Sequence, residues 1–435
     1  MGDAHPAGPP GTPRDVAHAV AVTAARSGRL ARALGRALDR SGLVGRDRSA
    51  VTDLVYGEAR WRRWLDAALA PHLSDPDALP PDVRVLLRLG AYDRLKRGTP
   101  AHAATSSWVD VAHRRTPRFA KLANAVLRRV APPEAPSPAL RASLPDAPYD
   151  RYHAALGHDT DAALLAMRTP GPTWLAGLAP DAETLLRADG ADVAAGPVPG
   201  TWRVRTPQRI GDLAAFERGR VQPMNPASTL VTHALEAPPG ARVLDLASGR
   251  GIKAAVLAAA GADVQAVERD PGKLAQAARN QARLGVEVAA RAADLLDPAT
   301  AADLARTPAP YVLLDAPCSG SGTLRGHPEI ADRLDVADLP RLADVQRRLL
   351  HVAADATTVG GTLVYATCSL FAEEGPDVVR AVAAERGDLE VDPPALATWA
   401  PDVPLHPTDV GTFTLPLDGL DGFYVARLRR TGGGA

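Results

Sequence analysis

The amino-acid sequence predicts a multidomain protein with an all-α N-terminal domain and a C-terminal α/β domain of Rossmann-like fold. The chain has 435 residues, more than one ordinary hydrophobic core accommodates. Residues 14–130 show helical periodicity without strand patterns, whereas after Val221 apolar strand-like runs alternate with helical segments. Such alternation is typical of a mostly parallel sheet with helices on both faces.

The N-terminal region carries the helical pattern. We expect residues 1–13 to form a disordered tail, and this segment lacks the basic and apolar runs of a secretory signal. Residues 14–131 form the predicted all-α domain. One of its helices has a leucine stripe beside an arginine stripe, which predicts a buried face and a basic face. The stripes are Leu30, Leu34 and Leu38, and Arg32, Arg36 and Arg40.

Charge is distributed unevenly along the chain. Residues 1–130 contain 22 Lys and Arg against 12 Asp and Glu, a net +10, and residues 131–435 contain 28 against 38, a net −10. A basic module joined to an acidic one suggests that the first module binds a polyanion. A solvated helical surface is the alternative interpretation of the same charges.

Three further segments follow the helical domain. Residues 132–148 are rich in Pro and Ala and are predicted to form a linker. Residues 149–220 are predicted to form a small α/β subdomain, and residues 221–430 the main α/β domain. The predicted strands of the main domain are Arg242–Leu246, Val264–Glu268, Val286–Ala290, Tyr311–Leu314, Thr362–Ala366 and Phe423–Leu428, and its predicted helices span 252–261, 271–284, 340–358 and 374–386.

A glycine-rich turn, LASGRG (246–251), follows the first strand of the main domain. The glycines allow close approach of a ligand, and the next helix offers free N–H groups at its start. Glu268 ends the second strand, where a carboxylate accepts hydrogen bonds from ribose hydroxyls, and Asp294 follows the third, towards an adenine amino group. The D-x-x-x-G-x-G form resembles that of S-adenosylmethionine methyltransferases, and a plain tight turn is the alternative.

Two cysteines, Cys318 and Cys368, are the only ones in the chain. They cannot build a disulfide scaffold or a cysteine zinc site, so we expect reduced thiols, no metal and a cytoplasmic protein. Each cysteine follows a predicted strand, at the edge of the sheet where the glycine-rich turn lies. A buried cysteine is ordinarily a small apolar residue. That interpretation weakens when both cysteines fall in polar turns at adjacent strand ends.

At these residues the sequence resembles the Nol/Nop/Sun family of RNA cytosine-5 methyltransferases. The resemblance extends over nearly the whole chain. Its most specific motifs are DAPCSGSGTLRGHPEI (315–330), GGTLVYATCSLFAEE (360–374) and DGFYVARL (421–428). LANAVLR (122–128) resembles the last helix of the NusB-like RNA-binding domain of such enzymes. The resemblance therefore implies a NusB-like helical domain and a class I methyltransferase domain.

The resemblance also implies roles for individual residues. Cys368 is expected to be the nucleophile, Cys318 to assist product release, and Asp315 to contact both the base and the methionine end of the cofactor. The expected S-adenosylmethionine site consists of Ala247, Ser248, Gly249, Arg250, Gly251, Ile252, Lys253, Glu268, Asp294 and Asp315.

The cytosine chemistry explains why a thiol is needed. Carbon 5 of cytosine is a poor nucleophile until a thiolate adds to carbon 6, after which carbon 5 attacks the methyl group and the thiolate is later eliminated. The thiolate must be favoured over the thiol, for which nearby positive charge is one means. Asp315 beside the base is expected to hold N3 and N4 of the ring.

Several positions depart from the family pattern. The usual Ala-Ala-Pro-Gly-Gly-Lys loop is Ser-Gly-Arg-Gly-Ile-Lys at 248–253, with Arg250 and Ile252 in place of proline and glycine. The segment QPMNPAS (222–228) also differs from the usual Gln-Asp-x-Ala-Ser. Arg325 and His327 are candidates for contacts with RNA phosphate or with the target base, and an ordinary surface loop is the alternative.

The expected partner is RNA, and overall similarity suggests small-subunit ribosomal RNA, with no membrane association and a monomeric enzyme. Two other functions remain open. A DNA cytosine-5 methyltransferase would use Cys318, in the Pro-Cys motif, as its nucleophile. A non-catalytic RNA-binding protein with a relict cofactor site would account for Arg250 and Ile252.

Overall fold

The computed structural model describes residues 11–394 and 396–432. The described residues form two compact units. The helical unit comprises residues 11–149 and 324–333, and the sheet unit comprises residues 150–323 and the described residues from 334 to 432. Residues 1–10, most of the segment for which we expected a disordered tail, lie outside the described residues. The first helix begins at Pro13, capped by Thr12 and Asp15.

The helical unit contains helices and no strand within its described residues. Their bounds are α1 Pro13–Ser27, α2 Leu30–Ser41, α3 Gly45–Leu69, α4 Pro81–Leu95, α5 Ala101–Arg115, α6 Ala120–Arg129 and α7 Pro138–Arg141. Helix α8 (Asp146–Leu156) continues past residue 149. The all-α fold class predicted for this part of the chain is confirmed.

Helix α2 has the two faces that the sequence predicts. The leucine stripe is buried in the core of the helical unit, whereas the arginine stripe is exposed. Burial of three leucines stabilises the helix against its neighbours by several kcal/mol, about 1.5–3 kcal/mol for each side chain. The packing of α2 therefore rests on its leucines and leaves its arginines at the surface.

Residues 324–333 belong to the helical unit although they are distant from it in sequence. The buried guanidinium of Arg60, on α3, donates two hydrogen bonds to the carbonyl oxygen of Arg325, at 3.2 Å from Nε and 2.9 Å from Nη2. Arg62 forms an ion pair with Asp332. Arg325 is buried and His327 is exposed, so of the two candidates for RNA contact only His327 presents its side chain to solvent.

The segment for which we expected a linker, residues 132–148, contains helix α7 and five buried residues. These are Ala139, Ala142, Ser143, Leu144 and Pro148. Pro138 stands at the start of α7, where the proline ring fits the helix and no N–H is needed. The buried apolar side chains of residues 132–148 therefore anchor most of this segment to the helical unit.

The sheet unit begins with a small antiparallel sheet in the order β2-β3-β1-β4. The bounds in this part are α9 Thr160–Ala166, β1 Thr173–Gly177, α10 Ala182–Ala188, β2 Asp192–Ala195, β3 Thr201–Arg205, α11 Ala214–Glu217 and β4 Val221–Pro223. The small sheet extends past residue 220, where we expected the subdomain to end, because β4 pairs with β1.

The main sheet has the order β11-β12-β13-β9-β8-β5-β6-β7, with β10 paired to β13. Strands β7, β6, β5, β8 and β9 are parallel, and the remaining pairs are antiparallel. The bounds are α12 Pro226–His233, β5 Arg242–Leu246, α13 Ile252–Ala259, β6 Asp263–Glu268, α14 Pro271–Leu284, β7 Ala289–Ala292, α15 Pro298–Arg306, β8 Ala309–Asp315, α16 Leu339–Asp355, β9 Thr357–Thr367, α17 Pro376–Arg386, β10 Leu389–Val391, α18 Leu396–Trp399, β11 Leu405–Pro407, β12 Thr412–Thr414 and β13 Phe423–Arg430. The predicted Rossmann-like fold class is confirmed.

Two local differences from the sequence-based prediction have physical reasons. The strand expected at Val286–Ala290 lies at Ala289–Ala292, because Gly285 ends α14 in the left-handed conformation and residues 286–288 form the connection. Helix α15 was not predicted, although Asp297 caps it and Pro298 begins it. No described helix is long and apolar enough to cross a membrane.

Candidate active site

The glycine-rich turn connects β5 to α13 at the carboxyl end of the sheet. Its backbone is left-handed at Ala247, Gly249 and Gly251, with φ of 58°, 60° and 66°. A Cβ on Gly251 would lie 2.8 Å from Cβ of Ala277 on α14, so only glycine allows this close approach. The turn therefore presents its backbone, with little side-chain cover, at the start of a helix.

Glu268 holds this turn from the end of the neighbouring strand β6. Its carboxylate accepts hydrogen bonds from the amide of Gly249 at 2.9 Å and from the amide of Asp270 at 2.9 Å. Glu268 is 4% exposed, and a carboxylate here has the chemistry to accept hydrogen bonds from ribose hydroxyls. The hydroxyl of Ser248 is buried and has no hydrogen-bond partner among the described residues.

Lys253 and Asp315 form an ion pair at the centre of the site. Lys253 Nζ lies 2.6 Å from Asp315 Oδ2. Burial opposes the charge of Lys253, but the Asp315 carboxylate overcomes it and raises the lysine pKa, with smaller contributions from Asp245 and Cys368. Beneath them Asp245 is 1% exposed, and burial raises its pKa to about 7, aided by the charge of Asp315.

The two thiols meet beside this ion pair. Cys318 follows β8 and Cys368 follows β9, and these strands pair in parallel with Asp315 opposite Ala366. The Sγ atoms lie 3.4 Å apart. A hydrogen bond with Cys368 raises the pKa of the Cys318 thiol well above its usual value, as do burial and the charges of Cys368 and Glu374.

Most of the residues expected in the site converge at this edge of the sheet. Asp315, Cys318, Cys368 and Lys253 lie in one cluster, and Glu268 binds the turn itself. Asp294 is exposed after β7 and accepts a hydrogen bond from the amide of Leu296 at 3.0 Å. Arg250 is exposed at the tip of the turn, and Ile252 begins α13. These last three contact none of the central cluster through a hydrogen bond or ion pair.

Three buried polar residues of the site were absent from the sequence-based set. Asp245 is the aspartate of the D-x-x-x-G-x-G pattern, and its motif position was the available signal. Glu374 lies at the end of the second cysteine motif and accepts hydrogen bonds from residues that follow each cysteine. Gln346, on α16, donates to the carbonyl of Pro317 at 2.9 Å and carried no sequence signal.

The residues present fit S-adenosylmethionine. A glycine turn with left-handed backbone, a buried Ser248 hydroxyl and the carboxylates of Glu268 and Asp315 suit a cationic amino-acid nucleoside. Among the described residues no cluster of His, Cys, Asp and Glu is suited to a metal ion. The fold and this site define an S-adenosylmethionine-dependent methyltransferase.

Comparison with known proteins specifies the family. The family described as 16S rRNA methyltransferase RsmB/F matches residues 232–429, and the NusB family matches residues 17–132. Ribosomal RNA small subunit methyltransferase B of Thermus thermophilus is 43% identical over 420 residues, which cover 97% of this chain and 98% of that one. The chain therefore belongs to the RsmB/F family, with an N-terminal NusB domain, and is an S-adenosylmethionine-dependent RNA methyltransferase.

Solved structures share the fold. The crystal structure of PH0851 has a TM-score of 0.80 at 21% identity and covers 96% of this chain and 99% of that chain. A methyltransferase homologue from Pyrococcus horikoshii has a TM-score of 0.56 at 25% identity and covers 67% of this chain and 97% of that one. The first similarity extends over nearly the whole sequence.

Proposed function

We propose that this enzyme methylates carbon 5 of a cytosine in small-subunit ribosomal RNA through a covalent bond between Cys368 and carbon 6. The observation that carries the proposal is the pair of thiols, 3.4 Å apart, beside the Lys253–Asp315 ion pair. A methyltransferase acting on an oxygen or on an exocyclic nitrogen has no need of a thiol that adds to the ring. Two thiols at adjacent strand ends suit a reaction with an addition step and an elimination step.

In the proposed reaction Cys368, Asp315 and Cys318 act in successive steps. The Cys368 thiolate adds to carbon 6, and Asp315 supports the electron shift by holding N3 and N4. S-adenosylmethionine, held by the glycine-rich turn, Glu268 and Asp315, would supply the methyl group for carbon 5 from a positively charged sulfur and would leave as neutral S-adenosylhomocysteine. The proton on carbon 5 then passes to the Cys318 sulfur, and the electrons of the broken C–H bond expel Cys368 from carbon 6. One proton is released to solvent in each cycle.

The unequal surroundings of the thiols support this assignment. The Lys253 ammonium interacts electrostatically with Cys368, whereas the Cys318 pKa is raised by its hydrogen bond with Cys368, by burial and by the charges of Cys368 and Glu374. Once Cys368 is bonded to carbon 6 it carries no charge. Two of the causes that keep the proton on Cys318 are then removed, and Cys318 becomes able to act as a base at the release step.

The cofactor site is proposed to extend over the turn and the strand ends around it. Glu268 accepts hydrogen bonds from the ribose, Asp294 lies towards the adenine, and Asp315 faces the methionine end. The backbone from Ala247 to Lys253, including Ser248, Arg250 and Ile252, forms the floor. The buried hydroxyl of Ser248, without a partner among the described residues, supports this placement.

The helical unit is proposed to hold the RNA. Arg32, Arg36 and Arg40 are exposed on α2, and none forms an ion pair within the described part of the chain. Arginines without acidic partners bind phosphates and position RNA without choosing a base. Two relatives are ribosomal RNA small subunit methyltransferases, which supports small-subunit ribosomal RNA as the substrate. The target cytosine must be unstacked, since carbon 6 is inaccessible inside a helix.

Denaturing electrophoresis with S-adenosylmethionine and ribosomal RNA tests the proposal. The Cys318→Ala variant should accumulate a covalent protein–RNA adduct, because release fails after methyl transfer. The Cys368→Ala variant and the double variant should form none. Sequencing of the trapped RNA then identifies the cytosine.

The other candidate functions predict different results. Adduct formation by Cys368→Ala and none by Cys318→Ala would assign the nucleophile to Cys318, as in DNA cytosine-5 methyltransferases. Absence of any adduct, together with absence of methyl transfer by the unmodified enzyme, would favour an RNA-binding protein with a relict cofactor site. Calorimetry with millimolar S-adenosylmethionine would then detect no binding.

A further inference from the structure

Glu374 is a fully buried carboxylate between the two cysteine loops. It is 0% exposed. Its carboxylate accepts hydrogen bonds from the amide of Ser319 at 2.8 Å, the hydroxyl of Ser369 at 2.6 Å and the amide of Gln346 at 3.0 Å, and a further one from the hydroxyl of Ser319. A buried carboxylate with four donors is well satisfied and costly to displace.

Both serines directly follow a cysteine, but the two loops depend on Glu374 to different extents. In the Cys368 loop the Ser369 hydroxyl makes one bond to Glu374, and it also accepts from the amide of Phe371 at 3.1 Å. The two loops are also joined to each other, because the Leu370 amide donates to the Ser321 hydroxyl at 2.9 Å. In the Cys318 loop, both the amide and the hydroxyl of Ser319 donate to Glu374. On the other side of Cys318, Gln346 binds the Pro317 carbonyl and also Glu374.

We propose that Glu374, together with Gln346, is the positioning residue that holds the Cys318 thiol for the release step. The inference rests on the proposed function, since it assigns a role within the same reaction. Glu374 acts through the backbone of residues 317–319 and through the Ser319 hydroxyl. Its buried charge also faces Cys318 and is one of the causes that raise the pKa of that thiol.

The geometry predicts that neutralising the Glu374 carboxylate slows release of the adduct more than its formation. In Glu374→Gln one oxygen becomes an NH₂ group, which faces hydrogen-bond donors and can accept from none of them. Both bonds from Ser319 in the Cys318 loop are affected, whereas the Cys368 loop has only the bond from Ser369 to lose, and Ser369 still accepts from the Phe371 amide. Addition of Cys368 to the base should therefore persist while release slows, because displacement of a reacting group by about 1 Å costs about 100-fold in rate.

Two measurements with ribosomal RNA and S-adenosylmethionine test the inference: single-turnover kinetics give the rate of adduct formation, and steady-state kinetics give the turnover number. In Glu374→Gln the rate of adduct formation should stay within about threefold of the unmodified enzyme, the turnover number should fall about 100-fold, and adduct should accumulate. Gln346→Met, which removes both bonds of Gln346, should give the same pattern more weakly. Glu373→Gln is the matched control, because that glutamate is half-buried and pairs with Arg151 at 3.2 Å; it should behave as the unmodified enzyme.

The outcomes separate this inference from the reaction itself. Proportional loss of adduct formation and release in Glu374→Gln and Gln346→Met, or unchanged kinetics in both, overturns the positioning role. If Glu374→Gln fails to fold, Gln346→Met and Ser319→Ala carry the same test. Cys318→Ala is measured in parallel: adduct there but none in the Glu374 and Gln346 variants rejects only this inference, whereas no adduct in Cys318→Ala rejects the proposed function.

Discussion

The active site in the sheet unit and the surface of α2 in the helical unit use charged side chains in opposite ways. In the active site the charges are partly shielded from solvent and face one another, as with Lys253 and Asp315, whose side chains are 11% and 31% exposed. In the helical unit, α2 presents exposed arginines with no ion pair among the described residues. Charges shielded from water act strongly at short range, whereas exposed charges are screened by salt. Substitutions in the sheet unit should therefore change chemistry steeply, and those on α2 should change RNA affinity in a salt-dependent way.

The largest effect in this comparison is expected from Lys253→Met. The change keeps most of the side-chain length and removes the charge that pairs with Asp315 and interacts with Cys368. At neutral pH the turnover number should fall at least about 1000-fold, as for loss of a preorganised charge in a buried site.

Lys273→Met is the control for this prediction. Lys273 is 45% exposed and lies 3.5 Å from Glu268, so it is a lysine close to the cofactor turn but outside the reaction centre. Methyl transfer by this variant should stay within about threefold of the unmodified enzyme. A loss of methyl transfer in Lys273→Met as large as that in Lys253→Met would contradict the assignment of the effect to the reaction centre.

Asp245 should give an intermediate effect that appears in stability. Its pKa is near 4 in the unfolded chain and about 7 in the folded protein, because burial disfavours the carboxylate and Asp315 repels it. A raised carboxyl pKa contributes stability that is present below pH 4 and is lost as the pH rises through 7. The uncharged Asp245→Asn variant does not suffer this loss.

Thermal unfolding without cofactor measures the difference. At pH 5 the Asp245 carboxyl is protonated in the folded protein and only the unfolded chain is ionised, so the difference between the two unfolding temperatures should be small. At pH 8 Asp245→Asn should unfold about 5–10 °C higher. Asp263→Asn, a change at an exposed aspartate at the start of β6, should show no such divergence. If the difference in unfolding temperature between Asp245→Asn and the unmodified protein is the same at pH 5 and pH 8, the raised pKa of Asp245 is contradicted.

The sequence predicted the parts of the site that depend on neighbouring residues or on strand ends. The apolar runs of β5, β8 and β9 are buried, so their alternation with helices was visible, and both cysteines followed from their position after such strands. Strand β7 was misplaced because its side chains are mostly exposed and give no apolar pattern. An edge strand of this kind is defined by pairing with β6 and not by its own composition.

The sequence-based prediction missed Glu374 because its place in the site depends on contacts with residues that are distant in sequence. Its partners Ser319 and Gln346 are 55 and 28 residues away in sequence. In the sequence, Glu374 is one of two adjacent glutamates: Glu373 is half-buried and pairs with Arg151, whereas Glu374 is fully buried. Which of two identical residues is buried is decided by the path of the chain after β9, and that requires the tertiary structure.

The smallest effect is expected from the arginine stripe of α2. In Arg32→Gln/Arg36→Gln/Arg40→Gln, the buried leucine face is unchanged, so the helical unit should fold as before. Loss of three phosphate contacts should lower the slope of log affinity against log salt concentration by about 2 for single-stranded RNA. At saturating RNA the turnover number should be unchanged, since no group of the reaction centre is altered.

The matched control for this prediction lies on α16 of the sheet unit. Arg341, Arg347 and Arg348 are exposed as well, but they pair with Asp338, Glu385 and Asp344. Their triple change to glutamine removes the same formal charge, so general electrostatic attraction falls equally in both variants. If the salt dependence of RNA binding falls only in the α2 variant, the stripe contacts phosphate directly. An equal fall in both variants would mean that net charge alone attracts the RNA, and the contrast between the two units would then not extend to their surfaces.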